Sequence, residues 1–187
     1  MQMARRKTRF TYQDYIHIPG EKRYEIIDGD LHMVPAPFTQ HQQISARLFQ
    51  ILAEFVQDRS LGEVFYAPVD VILSEEDVLQ PDLLFISRAR LGILTSANVR
   101  GAPDLVVEIL SPSTKQWDLQ PKRRLYEKYG VREYWIVDPD AQSVEVLTLT
   151  DDGFQTVRVF TKGTHVKSPL LEGFAPAVDA IFPPPLG

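Results

Sequence analysis

The sequence predicts an α/β or α+β layer around one mixed sheet, on three observations. Runs dense in Val, Ile and Leu, above all 104–110, read as buried central strands. Asp-Gly pairs sit inside strand-like stretches near both ends, at Asp28-Gly29 and Asp152-Gly153, and mark hairpins. Between them lie two stretches with apolar residues at helical spacing. The order is therefore hairpin, helix, several strands, helix, strand, hairpin.

The elements follow in turn. Thr11 can cap a short helix that Pro19-Gly20 ends. Residues 24–27 and 31–34 flank the first turn, and Pro35 and Pro37 close the hairpin. Residues 40–58 form the clearest amphipathic helix, with Ile44, Leu48, Ile51, Leu52 and Phe55 on one side and Thr39 as its cap. Residues 64–73 read as one strand interrupted near Pro68 or as two short strands. An acidic turn at 75–77 leads to another buried strand within 78–87. Residues 88–100 make a polar connection with a short helix. After the 104–110 strand and a loop at 111–114 comes a helix over 118–129, with Pro121 in its first turn and Gly130 as its stop. A strand at 133–137 and a hairpin over 144–160 follow, then an irregular tail around Pro183, Pro184 and Pro185.

The 187 residues fit a single domain, with a core over about 12–149, a basic arm over 1–10 and an irregular tail over 180–187. At 44% hydrophobic and 24% charged, the chain has an ordinary globular composition and enough length to bury a core. A net charge of −5 excludes a wholesale basic coat for nucleic acid and leaves room for a local basic cleft. The absence of cysteine excludes disulfides, thiol catalysis and thiolate zinc sites. No apolar run approaches the roughly 18 residues of a membrane helix, so no membrane partner is expected. Arg5, Arg6, Lys7 and Arg9 are followed by no apolar segment, unlike a secretory signal, and the expected location is cytoplasmic.

The chemistry centres on Glu108, an acid in the middle of an apolar strand. An ionised carboxylate there costs several kcal/mol unless a cation or metal compensates it. Asp104 shares its strand face but stands roughly 13 Å away, too far to ligate the same ion, and suits a cap on the strand start. Asp82, opening the 83–86 strand, can face Glu108 if the two strands are adjacent. Lys122 lies on the stripe of Leu125, Tyr126 and Tyr129, and a lysine facing inward needs a partner. Structural pairing of Glu108 with Lys122 is the plain alternative to a catalytic pair. His17, His32 and His165 show no ligand spacing, and Trp117, Tyr134 and Trp135 read as core or interface aromatics. Lys115, Arg123 and Arg124 border the expected cleft.

Pro81-Asp82 followed by Glu108 on the next core strand resembles the PD-(D/E)xK nuclease superfamily, to which type II restriction enzymes belong. Further residues resemble one bacterial restriction-endonuclease-like family, largely of unknown function. They are Tyr24-Glu25-Ile26-Ile27-Asp28-Gly29, His41, Gln80-Pro81-Asp82, the 108–113 run, Asp118, Lys122, Tyr126 and the 133–139 run. The resemblance implies a restriction-endonuclease-like fold, with a central mixed sheet flanked by helices and extra hairpins at both ends. It implies Mg²⁺ or Mn²⁺ held by Asp82, Glu108 and the backbone carbonyl of Ile109, with DNA as substrate. Lys122 would orient water or stabilise developing charge, standing in for the in-strand lysine that is Leu110 here. Glu25 would extend the metal shell, and His41 would contact a metal-bound water or a phosphate. A homodimer is also expected, since enzymes of this fold commonly act as pairs and the apolar face of the 144–160 hairpin must be covered. The rival is a non-catalytic binding or assembly module that keeps the fold.

Overall fold

A computed structural model describes residues 9–20, 22–112 and 115–183. The elements before the first long helix are α1 (Tyr12–Tyr15), β1 (Arg23–Ile27) and β2 (Asp30–Val34), followed by α2 (Thr39–Asp58). Five strands come next: β3 (Gly62–Tyr66), β4 (Val71–Ser74), β5 (Asp77–Leu79), β6 (Leu83–Ser87) and, after a 3₁₀ segment at Arg88–Ile93, β7 (Val99–Arg100). Strand β8 (Leu105–Ile109) leads into α3 (Lys115–Trp117), a π-helical turn at Asp118–Lys122 and α4 (Arg123–Lys128). The chain closes with β9 (Glu133–Asp138), β10 (Ser143–Thr150), β11 (Gly153–Thr161) and α5 (Val178–Ile181).

The fold is mixed α/β, but the strands form two sheets where one was expected. The smaller runs β2-β1-β5-β4-β7 and the larger β11-β10-β9-β8-β6-β3. Two of the passages between them, the short ones at 67–70 and at 80–82, each hold a proline, Pro68 or Pro81. Proline has no N–H to give to a ladder, so neither stretch could continue as one strand. The strand expected within 78–87 is therefore two, β5 in one sheet and β6 in the other.

In the larger sheet β6 and β8 are antiparallel neighbours with Leu83 opposite Val107, and β8 pairs with β9 in parallel. Leu105, Val107 and Ile109 face α2, whose Ile44, Leu48, Leu52 and Val56 are all buried. Val106 and Leu110 face the other way, onto Leu125 and Tyr126 of α4 and onto Ile27 and Leu79 of the smaller sheet. By strand alternation Glu108 belongs to that second face, between the sheets.

The element boundaries show where local signals competed. Thr11 does cap α1, in a reciprocal capping box with Asp14. Thr39 is the first residue of α2, not its cap; Phe38 holds the cap position and makes no side-chain bond. The helix expected from 118 begins at Lys115, and Pro121 lies inside the π turn, where its missing N–H leaves the usual ladder interrupted. Gly130 ends the helix with φ +82°.

The apolar face of the β10–β11 hairpin is covered from within. Val144, Val146 and Phe160 pack against Val166, Leu171, Phe174, Val178, Ile181 and Phe182. Buried Glu133 ties this C-terminal segment to the sheet, accepting from Trp135 Nε1 at 2.6 Å and from the Leu170 amide at 2.9 Å. The need for which a second copy was expected is thus met by the chain itself, and among the described residues Val157 and Val159 remain exposed on β11. The expected irregular tail is shorter than 180–187, since α5 reaches Ile181; residues 184–187, like 1–8 of the basic arm, lie outside the described residues.

Candidate active site

Asp82 stands just before β6, one step beyond the Leu83–Val107 pair, and so beside Glu108. Its Oδ2 accepts from the Ile109 amide at 2.7 Å and lies 3.1 Å from His41 Nε2. Helix α2 brings that histidine in from its first turn. Burial disfavours the charged imidazole, but the hydrogen bond and charge of Asp82, with the Ile109 backbone, outweigh it and raise the His41 pKa. The Ile109 contact that the geometry displays is therefore amide to Asp82.

Lys122 is only 5% exposed, and its Nζ meets three carboxylates: Glu25 at 3.0 Å, Glu108 at 3.2 Å and Asp118 at 3.3 Å. Glu25 enters from β1 of the smaller sheet and also accepts from the Gln80 amide at 2.8 Å. Glu108 Oε1 takes a second hydrogen bond, from the Tyr126 hydroxyl at 2.6 Å. The backbone carbonyl of Asp118 accepts from Tyr134 Oη at 2.9 Å, which fixes the π turn over the sheet. Lys122 thus joins both sheets and the helix at one point.

The electrostatics are lopsided. Burial lifts the Glu108 pKa well above the usual carboxylate range; Lys122 opposes the rise, and the charges of Asp118, Asp82 and Glu25 add to it. Burial also disfavours the Lys122 ammonium, but the surrounding carboxylates win and hold its proton firmly. Four acids face one lysine and one histidine. All six side chains line a single cavity of about 280 Å³.

Glu25, His41, Asp82, Glu108 and Lys122, separated by up to 97 positions in the sequence, meet here as expected. Asp118 and Tyr126 belong to the same cluster although the residue pattern alone assigned them no role. Their signal was present: 118, 122 and 126 are successive i, i+4 positions and share one helix face. The cationic border is engaged elsewhere. Lys115 pairs with Asp138 at 3.3 Å, Arg124 with Asp28 at 2.7 Å, and Arg123 donates to the Phe154 carbonyl at 2.9 Å. Asp104 caps its strand as expected, accepting from the Ser87 amide at 2.8 Å and pairing with Arg90 and Arg132.

The model of the Uma2 family, described as "Putative restriction endonuclease", matches residues 11–179. The chain belongs to this family. As a Uma2 member it carries the restriction-endonuclease-like architecture described above. It is 24% identical over 163 residues to the uncharacterized protein slr1290 of Synechocystis sp., covering 86% of this chain and 84% of that one. In fold it matches the crystal structure of a protein described as a putative nuclease belonging to DUF820, from Anabaena variabilis. The TM-score is 0.77, at 22% identity, over 92% of this chain and 97% of that one.

The donors suit Mg²⁺ or Mn²⁺ in kind. Asp82 and Glu108 offer oxygen ligands from adjacent strands to the same cavity. Among the described residues, no three His, Asp or Glu side chains stand together as a ready-made ligand set. Mg²⁺ asks for no such set: it commonly takes one or two carboxylates and keeps several waters for the rest of its shell.

Proposed function

We propose that this Uma2 chain is a metal-dependent endonuclease that hydrolyses phosphodiester bonds in DNA. One observation carries the reading: Asp82 and Glu108, on neighbouring strands, open into one cavity with a buried lysine among more carboxylates than it can neutralise. Excess buried negative charge is costly unless a further cation shares the site. Asp82, Glu108 and the Ile109 carbonyl would hold Mg²⁺ or Mn²⁺, which when bound supplies positive charge to a phosphodiester and activates a water.

The chain's own residues then divide the work. His41 and the Ile109 amide hold Asp82 in one rotamer. Tyr126 and Lys122 hold Glu108 from the opposite side. Glu25 and Asp118 keep the Lys122 ammonium protonated at the cavity floor, where it can stabilise charge that develops on phosphate oxygens. Leu110 leaves the in-strand lysine position apolar, so Lys122 from the helix is the cation for this task.

A second reading has its own observation. Lys122 is engaged by three carboxylates, as a purely structural ion cluster would be, and that arrangement favours a non-catalytic binding or assembly module. Nicking of supercoiled plasmid DNA with Mn²⁺ separates the two. The nuclease reading expects nicking by the wild type and none by Asp82→Asn or Glu108→Gln; a wild type that does not nick leaves the binding module.

A further inference from the structure

The cavity has two chemically different ends, and the nuclease reading uses one. Besides the ionic floor, the cavity is lined by apolar residues of β2, the 35–37 proline segment, the start of α2 and α3. Trp117 is 40% exposed there, Phe38 62% and Met33 58%. The His32 and Trp117 rings lie with centroids 4.3 Å apart, so Trp117 is held by a ring contact while keeping free surface. Trp117 is thus neither core nor idle: it borders the same cavity as Asp82 and Glu108.

The ionic floor is also recessed. Glu108 and Asp118 are almost fully buried and so is Lys122. A phosphate in a stacked duplex is held on the outside of a wide cylinder and enters a space of about 280 Å³ less readily than the phosphate of a nucleotide that has left the stack. Its phosphate reaches the floor while its base, now exposing both faces, meets aromatic rings at the wall. An apolar and aromatic surface beside a polar end that would take a phosphate once a divalent cation is bound matches a nucleotide better than it matches a protein segment or a lipid.

We propose that the Trp117, Phe38 and Met33 wall is a stacking site for an unpaired nucleobase, and that the preferred substrate is single-stranded or locally unpaired nucleic acid. This rests on the nuclease reading for the phosphate end of the cavity; the stacking end is measured separately. Every base offers a π face, so the wall selects for strandedness and carries no sequence code.

The test uses the full chain with Ca²⁺, which occupies oxygen sites with looser geometry than Mg²⁺ and so suits binding measurements. The sequence has two tryptophans, and Trp135 is fully buried, so quenching of exposed tryptophan emission reads Trp117. A short oligothymidylate is expected to quench that emission and to bind at least about tenfold tighter than a duplex of the same length. By anisotropy of a labelled oligothymidylate, Trp117→Ala and Phe38→Ala are each expected to weaken binding about tenfold, and Trp117→Phe to retain most of it. Equal affinity for duplex and single strand, no quenching of the wild type, or unchanged binding by Trp117→Ala overturns the inference. So does a protein-concentration-dependent blue shift of Trp117 emission with a dimer mass by light scattering, which would show a second copy on the wall. Cleavage of the same oligonucleotides with Mn²⁺ keeps the two claims apart. Cleavage of duplex without stacking removes this inference and leaves the nuclease; stacking without cleavage of any nucleic acid removes the nuclease and leaves a binding site for unpaired bases.

Discussion

Asp104, just before β8, and Glu108, within it, lie on one face four residues apart, and both are buried. Their surroundings differ most in the balance of charge. Asp104 meets two arginines and a backbone amide, with no second acid among those partners. Burial works to raise its pKa, and the Ser87 amide and Arg90 overcome that and hold it below the ordinary carboxylate value. Glu108 meets one lysine shared among three acids, and burial with those neighbours pushes its pKa well up. An acid with more cations than it needs strengthens the fold. An acid with fewer is a place where the protein has spent stability, and such places concentrate at functional sites.

That contrast can be broken most sharply by activity. Asp82→Asn or Glu108→Gln is expected to reduce Mn²⁺-dependent plasmid nicking to background, whereas Asp104→Asn, assayed below its lowered melting temperature, keeps it. Nicking lost equally in all three would erase the distinction between the two ends of the strand.

Next in size is the lysine. Lys122→Met keeps the stem and removes the charge that three carboxylates share, and should cost about 3–5 kcal/mol in urea unfolding at neutral pH. The raised pKa of Lys122 means that its stabilisation is complete below the unfolded value of 10.5 and is lost only as pH rises through the higher folded value. Any pH dependence that the variant gains below neutrality therefore belongs to the acids, and the variant should recover stability as they take up protons. A stability equal to wild type at neutral pH would show that the ammonium does not neutralise the cluster.

Divalent metal gives a third, smaller effect. Mg²⁺ or Mn²⁺ is expected to raise the melting temperature, by linkage worth about 2.7 kcal/mol at a hundredfold excess over the dissociation constant. Asp82→Asn and Glu108→Gln should each shrink the shift, and Asp104→Asn should leave it whole. A shift that survives both of the first two substitutions would place the ion elsewhere.

The finest test is pH. Asp104 has a lowered folded pKa, so its contribution is present above the unfolded value of 3.8 and is lost as pH falls through the lower folded value. Glu108 runs the other way. The unfolded chain releases its proton near 4.5 while the folded chain retains it to higher pH, so stability falls as pH rises from 4.5 toward the folded value. Asp104→Asn should cost about 1–3 kcal/mol at neutral pH and flatten the acid limb of the stability profile. Glu108→Gln should flatten the slope above 4.5 instead. Two identical profiles would mean that the charge balances of the two sites do not differ.

Much of this was legible in the residues themselves. The acid inside the apolar 104–110 run, the Pro81-Asp82 pair, the inward Lys122 and both Asp-Gly hairpins are local patterns, and local patterns report burial and turn geometry directly. Those patterns resolved most of the strands, the long helix and three of the side chains that meet at the site, Asp82, Glu108 and Lys122; Glu25 and His41 were singled out only by the family resemblance. The division into two sheets was not legible, because a proline says that a ladder stops and not where the chain goes next. Nor was the stoichiometry of the cluster. A helix face shows that Asp118, Lys122 and Tyr126 point one way, but only the packing of the smaller sheet against the larger brings Glu25 to the same ammonium. Trp117 read as either core or interface for the same reason: an aromatic residue beside a helix start is buried or exposed according to what lies across from it. Sequence determined which residues this protein would bury and which acids it would have to reconcile with them. Tertiary structure decided how many of those acids share one cation and which aromatic ring stays open beside them, because both depend on distances between segments that no local pattern encodes.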